Sequence, residues 1–132
     1  MKIGIIGGGI SGCFLAIKIK EAHKDYQVEI IEHNDKLLKK IYATGNGKCN
    51  FANSGDLKNK YNNEDFVLPI LNEYGYKEIS NYFTSIGIEN CLEGNLAYPV
   101  SKSANTVAYF LLKNVIRNII LQKFFNLFKK LL

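Results

Sequence analysis

The sequence predicts an α/β fold built on a parallel βαβ core, and three observations carry that expectation. A short apolar run, Lys2 to Ile6, is followed at once by Gly7-Gly8-Gly9-Ile10-Ser11-Gly12. Apolar residues then recur with helical spacing at Ile10, Cys13, Phe14 and Ile17. A second apolar run, Gln27 to Ile31, ends in the acid Glu32. Strand, tight turn, helix and strand in that order form the unit that builds parallel sheets.

The chain has 132 residues, 47% of them hydrophobic, which suits one ordinary domain around a single core. Charged residues make up 22%, so wholesale disorder is not expected. No stretch of eighteen uninterrupted apolar residues is present to span a membrane. Cys13, Cys49 and Cys91 form an odd set without a C-x-x-C pair, which argues against a disulfide framework or a closed zinc site, and a reducing cytoplasm is expected. The formal charge of +5 is concentrated at one end: up to Leu112 the 12 Lys and Arg balance the 12 Asp and Glu, while Lys113, Arg117, Lys123, Lys129 and Lys130 follow without an acid. That cluster lacks a recognised nucleic-acid fold or stacking platform, so no nucleic acid is expected as partner.

The six residues from Gly7 to Gly12 fit G-x-G-x-x-G after a strand and at the opening of a helix, the context that gives this motif meaning. Gly7 permits the turn, Gly9 lets a diphosphate approach the backbone, and Gly12 lets helix and strand pack closely. Free N–H groups around Ser11 and the positive end of the helix dipole then face the phosphates. Glu32 lies 20 residues after Gly12, where a carboxylate accepts hydrogen bonds from an adenosine ribose and repels a 2′-phosphate. The competing explanation makes the glycines a simple turn and Glu32 a solvated strand end. A lipoprotein signal ending at Cys13 is disfavoured, because the segment is short and glycine-rich and Lys18 and Lys20 follow.

The stretch from Ala43 to Asn53, ATGNGKCNFAN, is not a Walker A loop: Tyr42 stands where the first glycine belongs, and Cys49 where the Ser or Thr belongs. Together with the first motif, residues 39–50 (KKIYATGNGKCN) resemble the signature K-K-L-L-A-T-G-N-G-R-C-N of the HI0933-like flavoproteins, two-dinucleotide FAD-dependent oxidoreductases. Residues 95–101 (NLAYPVS), followed by Ala104 and Val107, resemble a further stretch of that family. The resemblance covers residues 1 to about 112. It implies a Rossmann-type FAD-binding domain, with Gly45 and Gly47 bringing backbone to the flavin side of the site and Asn46 and Asn50 holding the loop's own polar groups. Lys48, where the family has arginine, would attract a phosphate or substrate anion as a point charge without the bidentate fork. Cys49 reads as a small buried hydrophobe beside the site rather than as a redox thiol. Leu38 departs from the family by replacing a glycine before the lysine pair. The implied chemistry is transfer of reducing equivalents from NAD(P)H through FAD to an organic acceptor, with no residue singled out as a catalytic acid or base and no metal.

Further along, residues 53–63 read as an exposed loop, and Pro69 is expected to interrupt a helix over 63–73. Tyr76 to Ile86 predicts a helix with Ile79, Tyr82, Phe83 and Ile86 on its core face, ended by Gly87. Residues 88–92 and 96–100 predict a hairpin around Gly94, and Ser103 or Asn105 is placed to cap a helix near Thr106. His23 and His33 have no ligand-spaced companions and are expected at the surface. Residues 113–132 are expected to lie outside the family pattern as a basic amphipathic helix with Ile116, Ile120, Phe124, Leu127 and Leu131 on one side, without the strand that the family resemblance implies next. The organisation expected is therefore an incomplete FAD-binding domain over 1–112, with added helices and a small hairpin, followed by a tail. Two other readings stay open beside the oxidoreductase: a truncated, inactive fragment, and a peripheral membrane protein held by the tail, with the membrane disfavoured.

Overall fold

The computed structural model describes residues 1–118 and 120–123. Its first strand, β1 (Lys2–Ile6), leads through the glycine turn into helix α1 (Ile10–Ala22) and back to strand β2 (Gln27–Glu32). The strands pair in parallel with Ile3 opposite Val28 and Ile5 opposite Ile30, so β1 and β2 present one continuous aliphatic face. Cys13, Ala16 and Ile17 of α1 are buried, and with Ile5, Val28 and Ile30 they form one end of the core. Helix α4 (Ala104–Asn118) packs against α1 and buries Ala104, Val107, Ala108, Leu111 and Val115 in the same cluster. Alanines 16 and 108 are fully buried and small, which lets two helices share one face of a narrow sheet.

Strand β6 (Ile120–Lys123) follows α4 and pairs in parallel with β2, giving the sheet order β1-β2-β6. This corrects part of the amphipathic helix expected over 113–132: residues 113–118 are helical as the end of α4, but Ile120 belongs to a strand, and the strand implied by the family resemblance is present within residues assigned to the tail. Phe124, Leu127 and Leu131 lie outside the described residues. A short apolar run fits a helix or a buried strand equally well by periodicity. The free edge of β2 decides the matter, because its N–H and C=O groups are satisfied by a parallel partner.

A smaller antiparallel sheet, ordered β3-β5-β4, is formed by β3 (Ala52–Asn53), β4 (Asn90–Glu93) and β5 (Leu96–Pro99). The predicted hairpin is β4-β5, with Glu93 opposite Leu96 and Gly94 at φ +58 in the turn. Helix α2 (Glu64–Glu73) continues through Pro69, contrary to expectation. Its start is fixed by Asn63, whose side chain accepts the Phe66 N–H, and none of its residues is buried, so the Asp65 carbonyl that Pro69 leaves without its helical donor is open to water. Helix α3 (Tyr76–Ser85) turns Phe83 into the core and ends before Gly87, whose φ of +97 suits glycine. Helix α4 starts at Ala104, directly after Ser103 and two residues before the expected position. His23 and His33 are exposed. No helix among the described residues is long and apolar enough to cross a membrane, and no cluster of metal-ligating side chains occurs among them.

Candidate functional site

The glycine turn lies at the C-terminal end of β1, where β1 and β2 deliver their last residues side by side. Gly7 adopts φ +101 and donates its N–H to the Ile31 carbonyl (2.8 Å), so the chain leaves the sheet by a conformation that only glycine takes without strain. Gly12 supports the same turn from the helix: a Cβ there would lie 2.0 Å from the Gly7 carbonyl oxygen and 3.3 Å from Ile5 Cγ2. Gly9 meets nothing within 4 Å, so the backbone there is bare toward open space. The first bond of the helical ladder runs from the Cys13 N–H to the Gly9 carbonyl (3.0 Å). The N–H groups of Ile10, Ser11 and Gly12 precede it and have no helical acceptor.

Glu32 ends β2 beside this turn. Its Oε2 accepts the Gly8 N–H (2.6 Å), and its Oε1 accepts both the backbone N–H (2.7 Å) and the side-chain amide (2.8 Å) of Asn34. The Asn34 N–H, aided by the Gly8 N–H, the Asn34 side chain and the His33 N–H, holds the Glu32 carboxyl below its ordinary range against the opposing effect of desolvation. Oε1 takes two of these bonds and Oε2 one, and the His33 N–H also serves the carboxylate. Behind the turn, Cys13 Sγ donates to the Gly8 carbonyl (3.5 Å); burial, reinforced by the Glu32 charge, pushes its thiol up to about 11. Cys13 is a packing residue.

Gly7, Gly9, Ser11 and Gly12 line one side of a cleft of about 400 Å³, whose other side is made by Lys40, Ile41 and Thr44. These last three come from the segment after β2. It is drawn over the turn by Leu38, whose N–H donates to the Gly8 carbonyl (2.7 Å). Leu38 is fully buried at φ +57, so a leucine holds the left-handed conformation that suits the family's glycine, and its side chain fills the core in exchange. Residues 41–47 then form an irregular 3₁₀ segment broken at Thr44, Gly45 and Asn46, with Gly45 and Asn46 both left-handed.

A larger, mainly apolar cavity of about 750 Å³ adjoins the cleft and shares Ile10, Ile41 and Thr44 with it. Cys49 and Asn50 line it, together with Phe14, Phe51, Tyr82 and Phe83. The Asn50 amide donates to the Ala52 (3.2 Å) and Ala97 (3.1 Å) carbonyls, tying the segment to the hairpin. Cys49 is buried at φ +59, and burial raises its thiol above the ordinary range while Thr44 opposes. Lys48 therefore does not create a reactive thiolate there. Gly45, Asn46, Gly47 and Lys48 are exposed and line neither cavity. A Cβ on Gly45 would lie 2.6 Å from the Asn50 N atom, a close approach internal to the loop. Lys48 acts on Glu93 of the hairpin, whose carboxyl is held low chiefly by Lys102.

The structure thus gathers Gly7, Gly9, Ser11 and Gly12 in one cleft with Glu32 at its turn, and puts Cys49 and Asn50 next door. Lys40, Ile41 and Thr44 were not singled out from the sequence. All three nevertheless lie inside the quoted stretch of residues 39–50, which was the signal that could have found them. The α3 stripe, read as core, also supplies cavity wall through Ile79, Tyr82 and Phe83.

The model of the HI0933-like protein Rossmann domain matches residues 1–125, reaching past Leu112 and through β6. The chain belongs to this family. A curated relative, the 3-dehydro-bile acid delta(4,6)-reductase of Clostridium scindens, is 41% identical over 108 residues, 80% of this chain. The aligned part makes up 26% of that reductase, so the chain corresponds to about a quarter of its relative's length.

Proposed function

We propose that this chain is the FAD-binding portion of a flavin-dependent oxidoreductase. The observation that carries the reading is the cleft lined by bare backbone at Gly9, by Ile10 to Gly12 with their unladdered N–H groups and by Lys40, with Glu32 hydrogen-bonded to the turn that forms it. The donor set suits a dinucleotide: N–H groups and a cation for a diphosphate, and a carboxylate for a ribose hydroxyl. In this reading Ser11 and the N–H groups of α1 bind the diphosphate, and Glu32 Oε2 accepts a ribose hydroxyl. The adjoining apolar cavity gives a ring system room against Thr44, Cys49 and Asn50 while excluding water. Gly45, Asn46, Gly47 and Lys48 form the outer part of that loop and meet the cofactor or an anionic substrate from the solvent side. When bound, FAD supplies the redox chemistry; the protein supplies position and electrostatics. The donor in this reading is NAD(P)H, and the acceptor, by analogy with the reductase relative, is an unsaturated organic molecule.

The test is purification followed by FAD titration. A yellow protein, or colourless protein that gains thermal stability with FAD, supports the reading; at a hundredfold excess over Kd the gain is about 2.7 kcal/mol. Protein that binds no FAD and gains no stability refutes it.

A further inference from the structure

Lys39 and Lys40 are neighbours in sequence and part company in the structure. Lys39 Nζ donates to Asn34 Oδ1 (3.4 Å) and, with His33, Asp35 and Lys36, lines a separate polar cleft beyond the end of β2. Lys40 lines the glycine cleft. Its ammonium makes no hydrogen bond or ion pair among the described residues. The divergence is enforced by the backbone: Leu38, 0% exposed, and Ile41, 8% exposed, anchor the chain on both sides, and the Ile41 N–H donates to the Leu38 carbonyl (2.9 Å). What stays adjustable is the lysine stem. Among the described residues lining the cleft Lys40 alone carries a charge, while Glu32 contributes a negative charge at its turn.

We propose that Lys40 is the phosphate-binding cation of this site, a role that rests on the dinucleotide reading above. A diphosphate carries two negative charges, and the partial charge at the start of α1 does not balance them beside Glu32. A compact ammonium on a flexible stem fits a monodentate contact with a phosphate oxygen opposite the N–H groups of Ile10 to Gly12. An exposed pair of this kind is screened by salt, so its contribution has a measurable ionic-strength signature.

The experiment uses the full chain as wild type, K40Q, K40R and K39Q, titrated calorimetrically with FAD, ADP and adenosine at about 20 mM and about 200 mM sodium chloride. The K40Q variant should bind FAD and ADP about tenfold more weakly at low salt, with adenosine unchanged and a flatter salt dependence. K40R should stay within about twofold of wild type, because charge rather than shape is required. K39Q should match wild type. Equal ADP binding by K40Q and wild type overturns the proposal, as does an equal loss for adenosine or for K39Q. Wild type that fails to bind FAD yet prefers ADP to adenosine, with the preference lost in K40Q, removes the flavin reading and upholds Lys40. Wild type that does not prefer ADP to adenosine overturns the role of Lys40.

Discussion

Gly12→Ala and Gly9→Ala separate what the glycine turn does for folding from what it does for binding. At Gly12 the added methyl would sit 2.0 Å from the Gly7 carbonyl oxygen, a backbone atom that cannot rotate aside, and 3.3 Å from Ile5 Cγ2. Relieving that overlap shifts α1 against β1 at a cost of about 3 kcal/mol, the upper part of the range for overpacked sites. Alanine inside a helix recovers about 1 kcal/mol relative to glycine. The net loss is about 2 kcal/mol, or about 8 °C in Tm for a domain of this size. At Gly9 the new methyl meets nothing within 4 Å, and the backbone there, φ −73, is open to any residue. Only the exchange of a better N-cap residue is felt, at most about 1 kcal/mol. That methyl does enter the cleft, so Gly9→Ala should fold and lose most of the stabilisation that FAD confers. Urea unfolding followed by circular dichroism, with and without FAD, measures both effects. Gly12→Ala as stable as wild type, or Gly9→Ala destabilised as much as Gly12→Ala, refutes the packing argument.

Leu38→Gly removes left-handed strain of about 1 kcal/mol but deletes a fully buried side chain whose loss costs about 3 kcal/mol, so urea titration should show a net loss of about 2 kcal/mol despite the restored family glycine. Because the folded-state pKa of Glu32 is depressed, its contribution is present above the ordinary carboxylate range and fades as pH falls through the folded value; Glu32→Gln should flatten the acid limb of a stability–pH curve below about pH 4.5 and leave the slope above pH 6 alone. Thiol titration with a disulfide reagent at about pH 8 should find Cys91 alone reactive in the native state, with Cys13 and Cys49 appearing on denaturation, since both are buried and their thiols are raised. Rapid native labelling of Cys49 would contradict its buried placement.

Local interactions made much of this protein legible without coordinates. β1, the glycine turn, α1 and β2 are contiguous, and their signals are short-range: an apolar run, glycines at fixed offsets, a helical stripe and a terminal acid. The β4-β5 hairpin and α3 were readable for the same reason, through Gly94 and Gly87 at positive φ and a regular apolar face. Tertiary context decided the rest. Ile120 joined a strand because β2 had an edge to fill, a fact 91 residues away in the chain. Leu38 took a conformation leucine avoids because its N–H bonds the Gly8 carbonyl while its side chain is buried in the core, and that choice turned Lys40 and Thr44 into the cleft. Periodicity and motif spacing record what a residue does with its neighbours in sequence. Which of two adjacent lysines faces the glycines depends on what lies beneath both, and only packing supplies that.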